Sequence, residues 1–135
     1  QLACLAVTLA GIADPKGRRG GAIMGASSAF SLSIGLEMLP YCAVAGAIAG
    51  LRWVIDREEA GRLSAYGLTL SGGSAIGYAL FASYDNSVLR CDALTPVWLS
   101  VTVLGGALLA IAADSALRTA RPRLLDLRAR VREPR

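Results

Sequence analysis

The sequence contains no histidine. This absence excludes imidazole metal sites, histidine general bases and Ser-His or Cys-His pairs within these 135 residues. Charged residues make up only 18% of the chain, against about 25% in an average soluble domain. The three cysteines show no CxxC spacing, and no glycine-rich phosphate-binding motif is present. Any chemistry must therefore come from carboxylates, arginines, hydroxyl groups or the backbone.

Long uncharged stretches dominate the sequence instead. Hydrophobic residues make up 54% of the chain, and residues 22–36, 38–51, 63–84 and 93–113 carry no charge. Runs of about 18 or more apolar residues match the thickness of a bilayer better than the core of a small soluble domain. Only helices and closed barrels span lipid, and these runs lack the strict alternation of barrel strands. The sequence therefore predicts an all-α, polytopic transmembrane helical bundle.

Five membrane-spanning helices are predicted, the first of them truncated. The predicted spans are residues 2–13, 20–36, 38–54, 63–82 and 96–113. Glu37 is the only charged residue inside the apolar stretches, and it divides a run of residues 22–51 that would be about 45 Å long as one helix. Gly35 and Pro40 flank Glu37 and favour a break there. Because the first span is only half length, we expect the chain to be part of a longer protein.

The charges of the connecting segments give an independent test of this division. Lys and Arg concentrate in the short cytoplasmic loops of membrane proteins. The basic residues number three in residues 14–19, none at the Glu37 turn, three in 52–62, one in 83–95 and seven after residue 113. This alternation predicts that the basic segments are cytoplasmic and that the Glu37 turn and residues 83–95 face outward. The predicted location is the bacterial inner membrane.

The C-terminal segment is rich in arginine. Residues 1–113 are predicted to form the transmembrane region, part of a larger domain, and residues 114–135 a basic cytoplasmic tail. After Pro122, apolar residues recur at helical spacing among the arginines, which is typical of an interfacial helix on anionic lipid. The position beside a membrane span favours lipid as the partner over nucleic acid.

Glu37 is the first candidate for a functional residue. An ionisable group at membrane depth costs several kcal/mol unless it is paired or hydrated, and such groups are often functional. Three interpretations remain open: Glu37 caps the turn, belongs to a binding or catalytic site, or contacts lipid headgroups.

The loop of residues 83–95 supplies the second candidate site, with Asp85, Arg90 and Asp92. Two carboxylates without histidine suit Mg²⁺ or Mn²⁺, or general-base catalysis, and the arginine suits a phosphate. An ordinary solvated loop explains the same composition. A disulfide between Cys42 and Cys91 is one alternative on an oxidising outer face, and free thiols are the alternative we favour.

Three GxxxG spacings, which begin at Gly21, Gly46 and Gly73, lie inside predicted spans. Such spacings allow two helices to approach closely. We expect them to pack helices within one bundle rather than to form dimer interfaces.

Two stretches resemble a known family of membrane enzymes. The first is SLSIGLEMLPY, residues 31–41, followed by Arg52-Trp53, and the second is CDALTP, residues 91–96. They are similar to the C-type membrane glycosyltransferases, such as bacterial relatives of oligosaccharyltransferase catalytic subunits and protein O-mannosyltransferases. The resemblance implies a polytopic helical fold and a polyprenyl-phosphate-linked sugar donor that is used at the outer face. The family's acidic motif on an early outer loop is not in this sequence, and we expect it to precede Gln1.

The resemblance predicts part of a glycosyltransferase that moves a sugar from a lipid-phosphate carrier to an acceptor on the outer face. No residue matches the family's established base or metal ligand, so the site residues are chosen by charge and predicted face. Glu37 and Asp92 are the expected catalytic carboxylates, and Asp85, Arg90 and Tyr41 are expected to bind substrate. Mg²⁺ or Mn²⁺ would be the cofactor. A transporter segment with Glu37 as its functional carboxylate, and a non-catalytic membrane scaffold, are the alternatives.

Overall fold

The computed structural model describes residues 1–81 and 94–132, with side chains through Ser115 and at Arg118. In these ranges all regular structure is helical. The α-helices are α1 (Leu2–Ala13), α2 (Gly17–Ile34), α3 (Leu39–Ile55), α4 (Ala60–Phe81) and α5 (Pro96–Arg132). The all-α class is confirmed, and the helices agree with the predicted spans within a few residues, except at the end of α5.

The break predicted at Glu37 is confirmed. Helix α2 ends at Ile34, Leu36–Met38 form one 3₁₀ turn, and α3 follows directly. Pro40 lies in the first turn of α3, where a helix needs no backbone N–H donor, so its ring is compatible with the start of this helix. Glu37 therefore lies at one end of the helices, on the connection between two antiparallel segments.

Helix α5 does not end at residue 113, where the predicted span stops. It runs without a break through Pro122 to Arg132, and with 37 residues it is about 55 Å long. Arg118 donates from Nε to Asp114 Oδ2 at 2.8 Å, a pair one helical turn apart that supports the helix past the apolar segment. The backbone of the basic tail thus continues α5 rather than forming a separate helix.

Helices α2 and α4 form the central pair, and glycines set their close approach. A Cβ atom at Gly21 would lie 2.1 Å from the Arg62 carbonyl oxygen. One at Gly25 would lie 2.5 Å from the carbonyl oxygen of Tyr66. Since side chains cannot occupy such distances, only glycine permits this contact between the two backbones.

The second half of the same contact uses glycines of α4. A Cβ atom at Gly73 would lie 2.7 Å from the Cβ of Ala29, and Gly77 lies against Ser33. Contact positions increase along both helices, so α2 and α4 run parallel. The predicted packing role is therefore confirmed for the GxxxG spacings that begin at Gly21 and Gly73.

The other helices are arranged around this pair. Helix α1 packs on α2, and α5 packs on α4. Ser27 Oγ donates to the Cys4 carbonyl at 2.7 Å, and Ser71 Oγ donates to the Val103 carbonyl at 3.0 Å. Helix α3 packs less closely; the Tyr66 hydroxyl donates to its Cys42 carbonyl at 3.1 Å, and Arg52 Nη1 donates from α3 to the Ile12 carbonyl at 2.8 Å. Most of the surface of α3 is consequently exposed.

Two segments in the described ranges are long and apolar enough to cross a membrane, Leu36–Ile55 and Pro96–Ser115. Helix α1 is apolar but shorter. Large apolar side chains point outward along both segments; those more than half exposed include Val44, Leu51, Val54, Val101, Leu104, Leu108 and Ile111. Helices α2 and α4 carry the serines and glycines of the central contact, which lowers their hydropathy. The five-span arrangement remains a prediction.

Candidate functional site

Glu37 and Tyr41 lie at the same end of the molecule. Glu37 is exposed on the 3₁₀ turn, and Tyr41 is exposed in the first turns of α3. Within the described part of the chain, no hydrogen bond or ion pair fixes the Glu37 carboxylate. A cap through backbone amides therefore finds no support among these residues, while a bond from Glu37 to Arg90, the other form of that interpretation, lies outside the described residues.

The other predicted site residues, Asp85, Arg90 and Asp92, lie outside the described residues, as does Cys91. The structure therefore brings together only Glu37 and Tyr41 from the predicted set. In residues 1–81 and 94–115 no three His, Cys, Asp or Glu side chains are grouped so that they could hold a metal ion. The Mg²⁺ or Mn²⁺ site depends on the loop carboxylates and stays a prediction.

A groove of about 640 Å³ runs between α3 and α5 over the surface of α4. One wall is the small-residue face of α3, with Ala43, Gly46, Ala47 and Gly50, and the other wall is the apolar face of α5. Tyr66 and Leu70 of α4 form the floor. The small residues of the α3 wall leave open the space between α3 and α5 above α4.

The hydroxyl groups in this groove are already bonded to the protein. Tyr66 donates to the Cys42 carbonyl, and Thr102 Oγ1 donates to the Leu99 carbonyl at 3.0 Å. What the groove presents to a ligand is therefore mainly hydrocarbon. Its lining continues to Leu39 and Trp98, so that one end of it lies just below the Glu37 turn.

A cluster around Arg62 occupies the opposite end of the molecule. Arg62 is 2% exposed; its Nη1 donates to the Gly11 carbonyl at 2.8 Å and its Nη2 to the Asp14 carbonyl at 2.7 Å. Its Nε pairs with Glu59. The carbonyls at the end of a helix lack intrahelical donors and carry partial negative charge. Arg62 thus caps the C-terminus of α1 from α4.

Arg52 adds a second donor to the same cap, from Nη1 to the Ile12 carbonyl at 2.8 Å. Gly20 leaves the space for this cluster, since a Cβ atom there would lie 2.5 Å from Arg62 Nη1. With its donors committed to the protein, this cluster is structural rather than a binding site for an anion.

The sequence analysis used Arg62 only as a charge of a cytoplasmic loop, and Arg52 as such a charge and as part of the Arg52-Trp53 pair in the family resemblance. One signal was present in the sequence, because α1 ends at Ala13-Asp14-Pro15 without the glycine that usually caps a helix. Its last carbonyls therefore needed donors from elsewhere. Which arginine supplies them depends on the parallel packing of α2 and α4, which the sequence does not specify.

Comparison with known proteins found no matching family model, no similar curated protein and no similar solved structure. The resemblance to membrane glycosyltransferases therefore stays a prediction from two short stretches.

Proposed function

We propose that this chain is part of an integral membrane glycosyltransferase of the bacterial inner membrane, and that the groove between α3 and α5 holds the hydrocarbon chain of its polyprenyl-phosphate-linked sugar donor. The observation that carries the proposal is the groove itself, which is open, apolar and adjacent to the Glu37 turn.

Membrane insertion explains the outer surface of the molecule. Leu51, Leu104 and Ile111 are each more than 60% exposed, and they belong to continuous apolar faces of α3 and α5. Contiguous apolar surface of this extent is unfavourable in water and favourable in lipid. Helices α2 and α4 also expose large apolar side chains, among them Phe30, Leu68 and Leu80.

A flexible hydrocarbon chain fits the groove better than a polar substrate does. A polar ligand would lose its hydration and find almost no partners, since Tyr66 and Thr102 are bonded internally. A polyprenyl chain gains from burial at roughly 25 cal/mol per Å² of apolar surface. The walls of the groove belong to the two segments that are long enough to cross a membrane, so a lipid chain can enter it from the bilayer.

The Glu37 turn gives the headgroup a position. A lipid that lies in the groove with its phosphate toward Leu39 and Trp98 would place the sugar beside Glu37 and Tyr41. In this proposal Glu37 and Asp92 hold a divalent cation or orient the acceptor, while Asp85, Arg90 and Tyr41 bind the headgroup. The cation would neutralise charge on the leaving lipid phosphate.

The same geometry weighs against the transporter alternative. A transport carboxylate is expected near the bilayer midplane, at a broken helix inside the bundle. Glu37 is exposed at the end of α2 and α3. The scaffold alternative predicts that changes in the groove or at Glu37 alter neither the binding of a lipid-linked sugar nor its transfer. The following two experiments distinguish the scaffold from the glycosyltransferase.

Filling the groove tests lipid binding directly. We expect Gly50→Phe to reduce photolabelling of the purified chain by a diazirine-bearing polyprenyl phosphate, because Gly50 lines the groove and has no atom within 4 Å of its Cβ position. Gly72→Phe is the matched control. The Cβ position of Gly72 also has no atom within 4 Å, but Gly72 lines a different surface, formed by α2 and α4. Equal labelling of both variants and the parent chain would contradict the proposal.

Glu37→Gln tests the reaction. This change keeps the size of the side chain and removes its charge, so we expect sugar transfer by the complete protein to be lost while its amount in the membrane and its photolabelling are unchanged. Transfer at the parental rate would remove Glu37 from the catalytic site. Loss of proton-dependent uptake in the same variant would favour the transporter.

A further inference from the structure

Three sulfur-containing residues line one small cavity where α1, α2 and α3 meet. Cys4 belongs to α1, Met38 to the 3₁₀ turn and Cys42 to α3. The cavity has a volume of about 10 Å³, close to the space that a single water molecule needs. Both cysteines are free thiols and partly exposed. Two thiol-bearing residues and one thioether-bearing residue therefore line the same small space.

A buried hydroxyl group at the same cavity lacks a partner. Ser31 is 3% exposed and lines the cavity, and its Oγ has no hydrogen-bond partner among the described residues. Thr8 differs, because its Oγ1 donates to the Cys4 carbonyl at 2.9 Å. A buried polar group without a protein partner is unfavourable and needs an explanation. Ser31 Oγ is thus a polar atom at the cavity that the described protein atoms do not use.

We propose that this cavity binds a soft monovalent cation, Cu(I), through Cys4, Cys42 and Met38. Thiolate and thioether sulfur are soft ligands that favour Cu(I) over hard cations such as Mg²⁺. Among the described residues no carboxylate lines the cavity, and the chain has no histidine, which also disfavours zinc, since its sites need four nitrogen, sulfur or oxygen ligands. Each thiol that coordinates the ion releases its proton to solvent, and the copper keeps its oxidation state. The site is independent of the glycosyltransferase proposal.

Competition for Cu(I) in detergent tests this site. The purified reduced chain is titrated with Cu(I) bicinchoninate, and we expect it to remove one copper ion per chain from the chelator. Cys4→Ser and Cys42→Ser should each weaken binding by at least about 100-fold, since loss of even a second-sphere partner costs about 10- to 100-fold. Met38→Leu should weaken it less, and Cys42→Met should retain binding because it keeps a soft donor.

Two variants serve as matched controls. Cys91→Ser removes the third cysteine, and Met24→Leu changes the other methionine, which lies in the core and not at the cavity. We expect both to bind copper like the parent chain, and circular dichroism checks that every variant keeps its helices. Binding that survives the loss of both Cys4 and Cys42 overturns the proposal. A Cys4 to Cys42 disulfide in the protein as isolated, seen by mass spectrometry, overturns it as well.

Discussion

At the scale of single residues, the best-defined interaction in the molecule is that of Arg62. A guanidinium group that is removed from water is tolerated only when its donors are bonded and its charge is compensated. Arg62 meets both conditions through the α1 carbonyls and Glu59. It connects the C-terminus of α1 to the N-terminus of α4, two elements that are distant in sequence.

Arg62→Met should therefore destabilise the protein strongly, by about 3–5 kcal/mol, because the substitution leaves Glu59 and the carbonyls of α1 without a partner. Arg57→Met is the control. Arg57 is exposed and lies over the Trp53 ring at 4.7 Å, so its loss should cost no more than about 1 kcal/mol. Unfolding of both variants in detergent gives the comparison, and equal losses would show that Arg62 has no capping role.

The roles of single residues were the least predictable feature of the molecule from its sequence. Glu37 could be singled out because one charge in an apolar run is conspicuous in the sequence. Arg62 could not be singled out, because its role depends on the position of α1 beside α4. The sequence alone does not distinguish a buried arginine from one in a solvated loop. The cavity at Cys4, Met38 and Cys42 depends in the same way on contacts between three helices.

At the scale of elements, the helices were predictable and their partners were not. The predicted spans end where charged residues interrupt the apolar runs. Helices α1 to α4 end within a few residues of these predicted ends. Helix α5 does not, because residues 114–132 include alanine, leucine and arginine, which favour helix in water as well. A charge pattern marks the edge of the apolar segment, whereas helix propensity decides where the helix stops.

A GxxxG spacing likewise predicts that two helices pack closely, but it does not predict which glycines contact the neighbouring helix. Gly46 lies near the Tyr66 ring, but Gly50, the second glycine of that spacing, faces open space in the groove. Gly21 and Gly25 have the same spacing, and both lie in close contact with the backbone of α4. The difference arises because α3 contacts α4 only weakly.

Two adjacent glycines of α5 test this distinction. A Cβ atom at Gly106 would lie 2.6 Å from the Gly67 carbonyl oxygen, so Gly106→Ala must push α5 away from α4, and we expect a loss of about 1–3 kcal/mol. Gly105 has nothing within 4 Å, so Gly105→Ala should instead stabilise the helix by about 0.5–1 kcal/mol. Chemical unfolding of both variants measures the difference, and the same sign for both would refute this packing of α4 and α5.

At the scale of the whole molecule, the basic residues of the two loops 14–19 and 52–62 lie at one end. Arg62 and Arg52 contact the carbonyls that end α1, which brings residues 14–19 and 52–62 to the same end of the bundle. The Glu37 turn lies at the other end of α2 and α3. The sequence predicted this separation from loop charges alone, and the helix contacts give the same separation without any reference to a membrane.

The positive-inside rule then predicts a direction for the bundle, with the basic end in the cytoplasm and Glu37 outside. Cysteine labelling tests this orientation in a background where Cys4, Cys42 and Cys91 are replaced by serine. A membrane-impermeant maleimide should label Glu37→Cys in intact cells and should label Lys16→Cys only after the cells are permeabilised. Both positions are exposed, so failure to react in intact cells reports the membrane and not burial. Labelling of Lys16→Cys alone in intact cells would invert the orientation and move Glu37 away from any outer-face acceptor. Labelling of both would mean that the bundle does not span the membrane as proposed.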